Sequence, residues 1–237
     1  MSENSEREFL LGGKSIRLIV KSVRRSRNFK VMVENGKVFL HKPFFAKLSD
    51  ALEFLKENEL WVFERLANSK ESEKLSEYLQ KNNVLFLNGS AKTVSLMNSR
   101  TEAFYVENDS EIVFSFPFEN EDFLEEVFIE CAKKHIKNKV DYFSSLYEFA
   151  PHKISLRSQR SRWASRSASG VLSFNWRILL LNETLQSYII LHELSHSKFM
   201  DHSESFWIFL NRICPSAKRL DKTLSLEGKQ IFNVGRD

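Results

Sequence analysis

His192, Glu193 and His196 stand in the order His-Glu-x-x-His, within Leu191-His192-Glu193-Leu194-Ser195-His196, and a third histidine, His202, follows six positions after the second. On an α-helix each residue advances about 100°, so His192 and His196 fall on one face roughly 6 Å apart. That separation lets two imidazole nitrogens reach one Zn2+ ion at about 2.0–2.1 Å each. Glu193, offset by one residue, leaves the ligand face but stays close to a water held by the ion. Zinc lowers the pKa of such a water to about 7, and a neighbouring carboxylate can take its proton. The spacing therefore predicts hydrolytic chemistry, with Glu193 as general base. A three-histidine set would leave a fourth position open to water, the pattern of a catalytic site rather than a closed structural one.

The elements around the motif must hold it. Thr184 to Leu191 leads in without Gly or Pro, Asn182 or Thr184 can cap the start, and Leu185, Ile189, Ile190, Leu191, Leu194 and Phe199 cover most of the circumference. A buried helix is expected, and histidines and a glutamate inside it need partners. Six more residues of helix would rotate His202 by about 240° from His196, onto the wrong side. The helix must therefore end near Met200 and the chain turn back, with Ser203-Glu204-Ser205-Phe206-Trp207 starting a new helix that buttresses His202. Phe199 stands where metzincins carry Gly at this bend.

The run from His192 to His196 with Asp201-His202-Ser203-Glu204-Ser205-Phe206-Trp207 resembles the YgjP-like family of small zinc metallopeptidase domains, relatives of SprT-like and WLM domains. Upstream, Arg160-Ser161-Arg162-Trp163-Ala164-Ser165 and Leu172-Ser173-Phe174-Asn175-Trp176-Arg177 are similar to that family's Arg-Trp-Gly-Ser block and its following strand. The resemblance is specific from about Ser155 to Leu224, weaker over Ile16–Leu66, and only general between about 70 and 150. It departs at Ala164, Arg166 and Ser187, where the family favours Gly, Cys and Asp. The resemblance implies a zincin-like fold, His192, His196 and His202 as zinc ligands, Glu193 as catalytic base, and a peptide or protein substrate.

Composition sets the frame. The 237 residues, 42% hydrophobic with 21 Phe, supply a core for one large or two small domains. Cys131 and Cys214 form no Cys-x-x-Cys pair, the amino terminus is polar with no apolar run of signal length, and no stretch approaches a membrane span. A cytoplasmic protein without membrane contact is expected. The net charge of +4 is uneven: residues 151–237 hold 13 Lys/Arg against 7 Asp/Glu, and residues 1–150 hold 22 against 24.

Strands are expected over 15–22, 29–34 and 37–40, the last two joined by an Asn35-Gly36 hairpin. Seven basic residues and no acid run from Lys14 to Lys30; they can meet nucleic acid, or simply protect a hairpin edge by charge, which is the simpler reading. A helix capped by Ser49-Asp50 should run to about Ala67, a short one over 71–80, and strands over 84–87, 93–97, 103–107 and 112–116. A long amphipathic helix follows over 120–149, beside which His135, like His41 and His152, reads as structural. His152–Ser165 and Val171–Leu180 read as two strands, the hairpin edge being the candidate to receive substrate, with Arg160, Arg162 and Arg166 facing acidic substrate or water. Pro215–Leu224 gives a last helix, with a loose tail beyond Gly228. For oxyanion stabilisation Tyr188, Arg162 and Trp163 are the candidates. The expected fold class is α+β: a small amino-terminal β-rich region, residues 1–117, and a helix-rich catalytic domain, residues 118–237, whose active-site helix packs on a small sheet. The alternative is a nucleic-acid-associated binding protein with a non-catalytic zinc site.

Overall fold

Alternating apolar side chains build a first sheet with one buried face. The computed structural model describes residues 6–34, 36–68, 72–150, 153–159, 161–167 and 169–235, and the chain divides into two compact units, residues 1–72 and 73–236. In unit 1, β1 (Glu6–Leu11), β2 (Lys14–Val23), β3 (Lys30–Glu34) and β4 (Lys37–Pro43) pair in the order β1-β2-β4-β3, with β2 and β4 parallel. β1 was hidden by its charged residues; it pairs with β2 through Gly12-Gly13, both at positive φ. Gly36 turns β3 into β4 at φ +69°, while Asn35, like His152 and Arg160, lies outside the described residues.

The helix expected from Ser49-Asp50 to Ala67 is two helices, α1 (Leu48–Glu57) and α2 (Glu59–Asn68). Asn58 breaks it: its side-chain amide donates to the Phe54 carbonyl at 2.8 Å and its N–H to Leu55 at 3.2 Å, a local bond competing with the helical one. Ser49 Oγ is spent on Asp50 at 2.9 Å and caps nothing. Leu18, Val38, Leu40, Leu55 and Val62 close the core of this unit.

Unit 2 begins with α3 (Leu75–Asn82) and repeats the first topology. Strands β5 (Val84–Leu87), β6 (Ser90–Asn98), β7 (Phe104–Glu107) and β8 (Glu111–Phe116) pair as β5-β6-β8-β7, again with the central pair parallel. The boundary expected at Pro117 thus falls between β8 and the next helix of the same unit. That helix, α4 (Glu121–Leu146), starts at Asn120, whose side chain accepts from Asp122 N–H at 3.0 Å, and buries Leu124, Phe128, Cys131, Ile136 and Val140. His135 is structural, but not for want of an acidic partner: Glu107 of β7 meets its Nε2 at 2.9 Å.

The third sheet has the order β10-β11-β9. Strand β9 (Ile154–Arg157) runs parallel to β11 (Leu172–Asn175), and β10 (Ala164–Arg166) pairs antiparallel on its other side. The expected long strand stops at Asn175, whose side chain accepts from the Arg177 N–H at 3.1 Å and starts a 3₁₀ turn over Trp176–Leu180. Its residues are all buried, Arg177 included, so strand alternation fails there. Helices α5 (Glu183–Ser195), α6 (Glu204–Ile213) and α7 (Ala217–Ile231) complete the chain. The tail is anchored rather than loose. Gly228 lies so close to Trp163 that an added Cβ would sit 2.8 Å from the indole ring. Arg177 Nε donates to the Val234 carbonyl at 2.6 Å and Nη2 to Gly235 at 2.8 Å.

The Glu107–His135 pair should make stability acid-sensitive. Burial alone would raise the Glu107 carboxyl, but His135, Lys134 and Lys92 more than offset it and hold the pKa below its ordinary value. Burial lowers that of His135 in spite of Glu107. Both groups bind protons more readily in the unfolded chain, so stability present at neutral pH falls below about 6.5 as His135 titrates and further below about 4.5 as Glu107 does. Calorimetry should record a melting temperature that drops steadily from pH 7 to 4, with the lower part of the drop reduced in Glu107→Gln.

Candidate metal centre

Helix α5 is apolar on almost every side: Leu185, Ile189, Ile190, Leu191 and Leu194 are all buried. Asn182 starts it by accepting from the Leu185 N–H at 3.0 Å, a cap worth about 1 kcal/mol. It ends at Ser195, one turn earlier than the sequence suggests. His196 keeps helical geometry at φ −64°, ψ −8°, so its ring stays on the His192 face, and the chain then turns through Ser197, Lys198 and Phe199. The early stop returns His202 to that face just before α6.

The three imidazoles converge. Their ring centroids are 5.0 Å (His192–His196), 4.9 Å (His192–His202) and 4.9 Å (His196–His202) apart, and one nitrogen of each lies within 4.8 Å of the other two. The Nε2 atoms of His192 and His202 are 2.9 Å apart. Beneath them the fully buried Phe206 of α6 touches all three rings, with centroids at 5.0, 4.8 and 4.9 Å. This is how α6 buttresses the group: it supplies the apolar floor.

Hydrogen bonds outside the cluster set the protons. His196 Nδ1 lies 2.9 Å from the Phe199 carbonyl, which can only accept, so Nδ1 carries the proton and Nε2 keeps its lone pair. Tyr188 OH donates to Asp221 Oδ1 at 2.8 Å, leaving its oxygen to accept from His192 Nδ1 at 3.3 Å. His192 Nε2 then also carries a lone pair, turned inward toward His202 Nε2. Burial, then His196 and His202, push the pKa of His192 down to about 3, so the ring is neutral at physiological pH. Two inward-facing lone pairs and a third imidazole are a donor set suited to a cation such as zinc, which takes neutral imidazoles at open three-ligand sites.

Glu193 follows His192 into the core and is 7% exposed. Burial raises its carboxyl pKa to about 7, against the pull of Arg162 and Arg166. A cation beside it would lower that value again. Arg162 is exposed, whereas Arg166 reaches Met200 Sδ at 3.6 Å and buries an Nε that has no partner among the described residues. A cavity of about 140 Å³ opens beside His192 and Glu193, walled by Trp163, Ile189, Leu224 and Asp221.

One of the three oxyanion candidates is otherwise engaged. Tyr188 is 2% exposed and its hydroxyl is committed to Asp221 and His192. The Trp163 ring stacks on Phe232 at 4.2 Å. Asp221 was missed from sequence because 33 residues separate it from Tyr188 and nothing in the helical pattern of α7 marks it. Phe206 belongs to the helix expected to buttress His202, and spacing alone does not place its ring against all three imidazoles.

The family model of the YgjP-like metallopeptidase domain matches residues 27–227. The metallopeptidase zymogen jannalysin of Methanocaldococcus jannaschii is similar at 25% identity over 39% of this chain and 95% of its own, with a TM-score of 0.35. The zymogen abylysin of Pyrococcus abyssi is similar at 27% identity over 42% and 95%, with a TM-score of 0.30. None of the curated proteins matches. With the match spanning residues 27–227 of 237, this chain belongs to the YgjP-like metallopeptidase family.

Proposed function

We propose that the enzyme is a zinc-dependent peptidase in which His192, His196 and His202 hold the ion and Glu193 is the general base. The observation that carries this reading is the convergence of three imidazole nitrogens within 4.8 Å, two with lone pairs turned inward by outside partners. Zinc, when bound there, supplies a Lewis acid that polarises a carbonyl and acidifies water. Glu193, adjacent and buried, takes the proton from the attacking water onto its carboxylate and returns it to the leaving amine. Its desolvated site keeps bulk water from competing for that proton. Arg162 and Arg166 stand near enough to act on Glu193 and can steer an acidic group of the substrate. Catalysis is assigned to residues 118–237.

Substrate binding is assigned to β10. It is an edge strand of its sheet and packs against α5, so an extended peptide can add to it by main-chain bonds while a side chain enters the cavity beside Glu193. No described helix is long and apolar enough to cross a membrane. The compartment is read as cytoplasm, in keeping with two buried free thiols, Cys131 and Cys214.

Three results test this. Purified protein should hold one zinc, and His202→Ala should lose it in metal analysis. Glu193→Gln should retain the zinc while peptide cleavage falls by about 10²-fold or more. If the wild type binds zinc and cuts no peptide or protein, the alternative of a binding protein with a structural zinc stands instead. Tyr188→Phe and Asp221→Asn should each weaken zinc about 10- to 100-fold in chelator competition, the first because it removes the outside partner of the His192 ring, the second because it removes the charged acceptor that orients that partner.

A further inference from the structure

The sheet of unit 1 has one face that its helices cover and one that they do not. α1 and α2 pack on the side of Leu18, Val38 and Leu40. Side chains alternate along a strand, so Lys21, Phe39 and His41 point the other way. The register aligns them across three strands: Lys21 of β2, His41 of β4 and Lys30 of β3 form one row, and Ile19, Phe39 and Met32 form the next. Lys21 Nζ sits 5.2 Å from the Phe39 ring centre. The cations of this row are close enough that, after burial, Lys21 and Lys30 hold His41 below its ordinary pKa.

At the same end of the sheet, β4 runs into a tight turn. Ala46 N–H donates to the Pro43 carbonyl at 3.1 Å, and Lys42 Nζ clasps the Ala46 carbonyl at 3.0 Å. The corners of this turn are Phe44 and Phe45, 60% and 77% exposed, where Gly, Asn, Asp or Ser would ordinarily stand. The Arg24 guanidinium lies 5.8 Å from the Phe44 ring centre, and exposed Arg25 and Arg27 belong to the same loop.

The fold itself does not ask for this. The second sheet has the same strand order and turns at Pro117-Phe118 where the first turns at Pro43-Phe44. Its row in the place of Lys21, His41 and Lys30 is Met97, Ser115 and Phe104, with no charge. An exposed ring at the turn recurs as Phe118, but the cations are specific to unit 1, and edge protection does not account for Lys21, which lies on a central strand.

We propose that this face and its turn bind single-stranded nucleic acid, with bases stacking on Phe44 and Phe45 and phosphates meeting the Arg24–Arg27 loop and the Lys21–Lys30 row. Aromatic side chains interleaved with a cationic track are what unpaired bases on a charged backbone require. The spacing agrees. Phe39 and Phe44, on β4 and its turn, each have a cation beside the ring, Lys21 at 5.2 Å and Arg24 at 5.8 Å, so rings and charges run side by side along one track. A duplex hides the faces that would stack. An anionic bilayer would be met by the cations at the phenylalanine tip alone, whereas here Lys21 and Lys30 carry the charge beyond the Arg24–Arg27 loop onto two strands of the sheet. The site is independent of the metal centre.

Fluorescence anisotropy of the full chain with a labelled oligothymidylate of about 20 nucleotides, at about 50 mM salt, tests it. The expected result is saturable binding that weakens as salt rises and exceeds that of a duplex of equal length. Phe44→Ala with Phe45→Ala should weaken it about tenfold or more with the salt slope kept. Arg24→Glu with Arg27→Glu should weaken it comparably and flatten the slope, since phosphate contacts set that slope. All four positions are exposed, and unchanged melting temperatures confirm folding. No binding by the intact chain, or binding indifferent to the phenylalanines, overturns the proposal. So does capture by phosphatidylserine vesicles through Phe44 and Phe45 when the oligonucleotide is not bound.

Discussion

A helix that carries polar side chains into an apolar core must find each of them a partner. Leaving one unmade costs about 1–3 kcal/mol. On α5 the accounts close one by one. Gln186 donates to the carbonyls of Phe86 and Leu181 and accepts from Lys139; Ser195 returns its hydroxyl to Leu191; Tyr188 donates to Asp221. Toward the end of the helix the imidazole nitrogens turn toward one another, with the Glu193 carboxylate beside them. A cation and its water are the partners that would satisfy these groups together.

The motif was legible because helix geometry links residues four apart directly. His192 and His196 had to share a face, and the apolar residues around them had to be buried. The same rule carried the stripe of α4, and turn chemistry carried the hairpin at Gly36. It failed where a side chain competes locally with the backbone. Asn58 and Asn175 each divert a hydrogen bond, splitting one helix and ending one strand, and neither is flagged by hydrophobic period. It failed again where distant segments meet. Glu107 reaches His135 across 28 residues, and Asp221 reaches Tyr188 across 33. Spacing is silent on such pairs.

The carboxyl-terminal segment shows how much of a site lies outside its motif. Arg177 is fully buried, which is tolerable only because its guanidinium reaches Ser158 and the carbonyls of Val234 and Gly235 and stacks on Trp176. Those bonds tie down the end of the chain beyond α7. Gly228 then lets α7 approach Trp163, and Asp221 is set beneath Tyr188. A tail that reads as loose in sequence therefore anchors the end of α7, the helix that carries Asp221, the outer partner of Tyr188.

The two four-stranded sheets separate what topology demands from what it leaves free. Both place a parallel pair at the centre and a hairpin on either side, and both bury Leu and Val on the helix-facing side. Leu40 and Phe114 occupy corresponding core positions, each at 0% exposure. These choices follow from packing. On the opposite face the sheets diverge: where the first has the row Lys21, His41 and Lys30, the second has Met97, Ser115 and Phe104. Where packing is satisfied twice by the same plan, a difference confined to the uncovered side has to be explained by what each side meets.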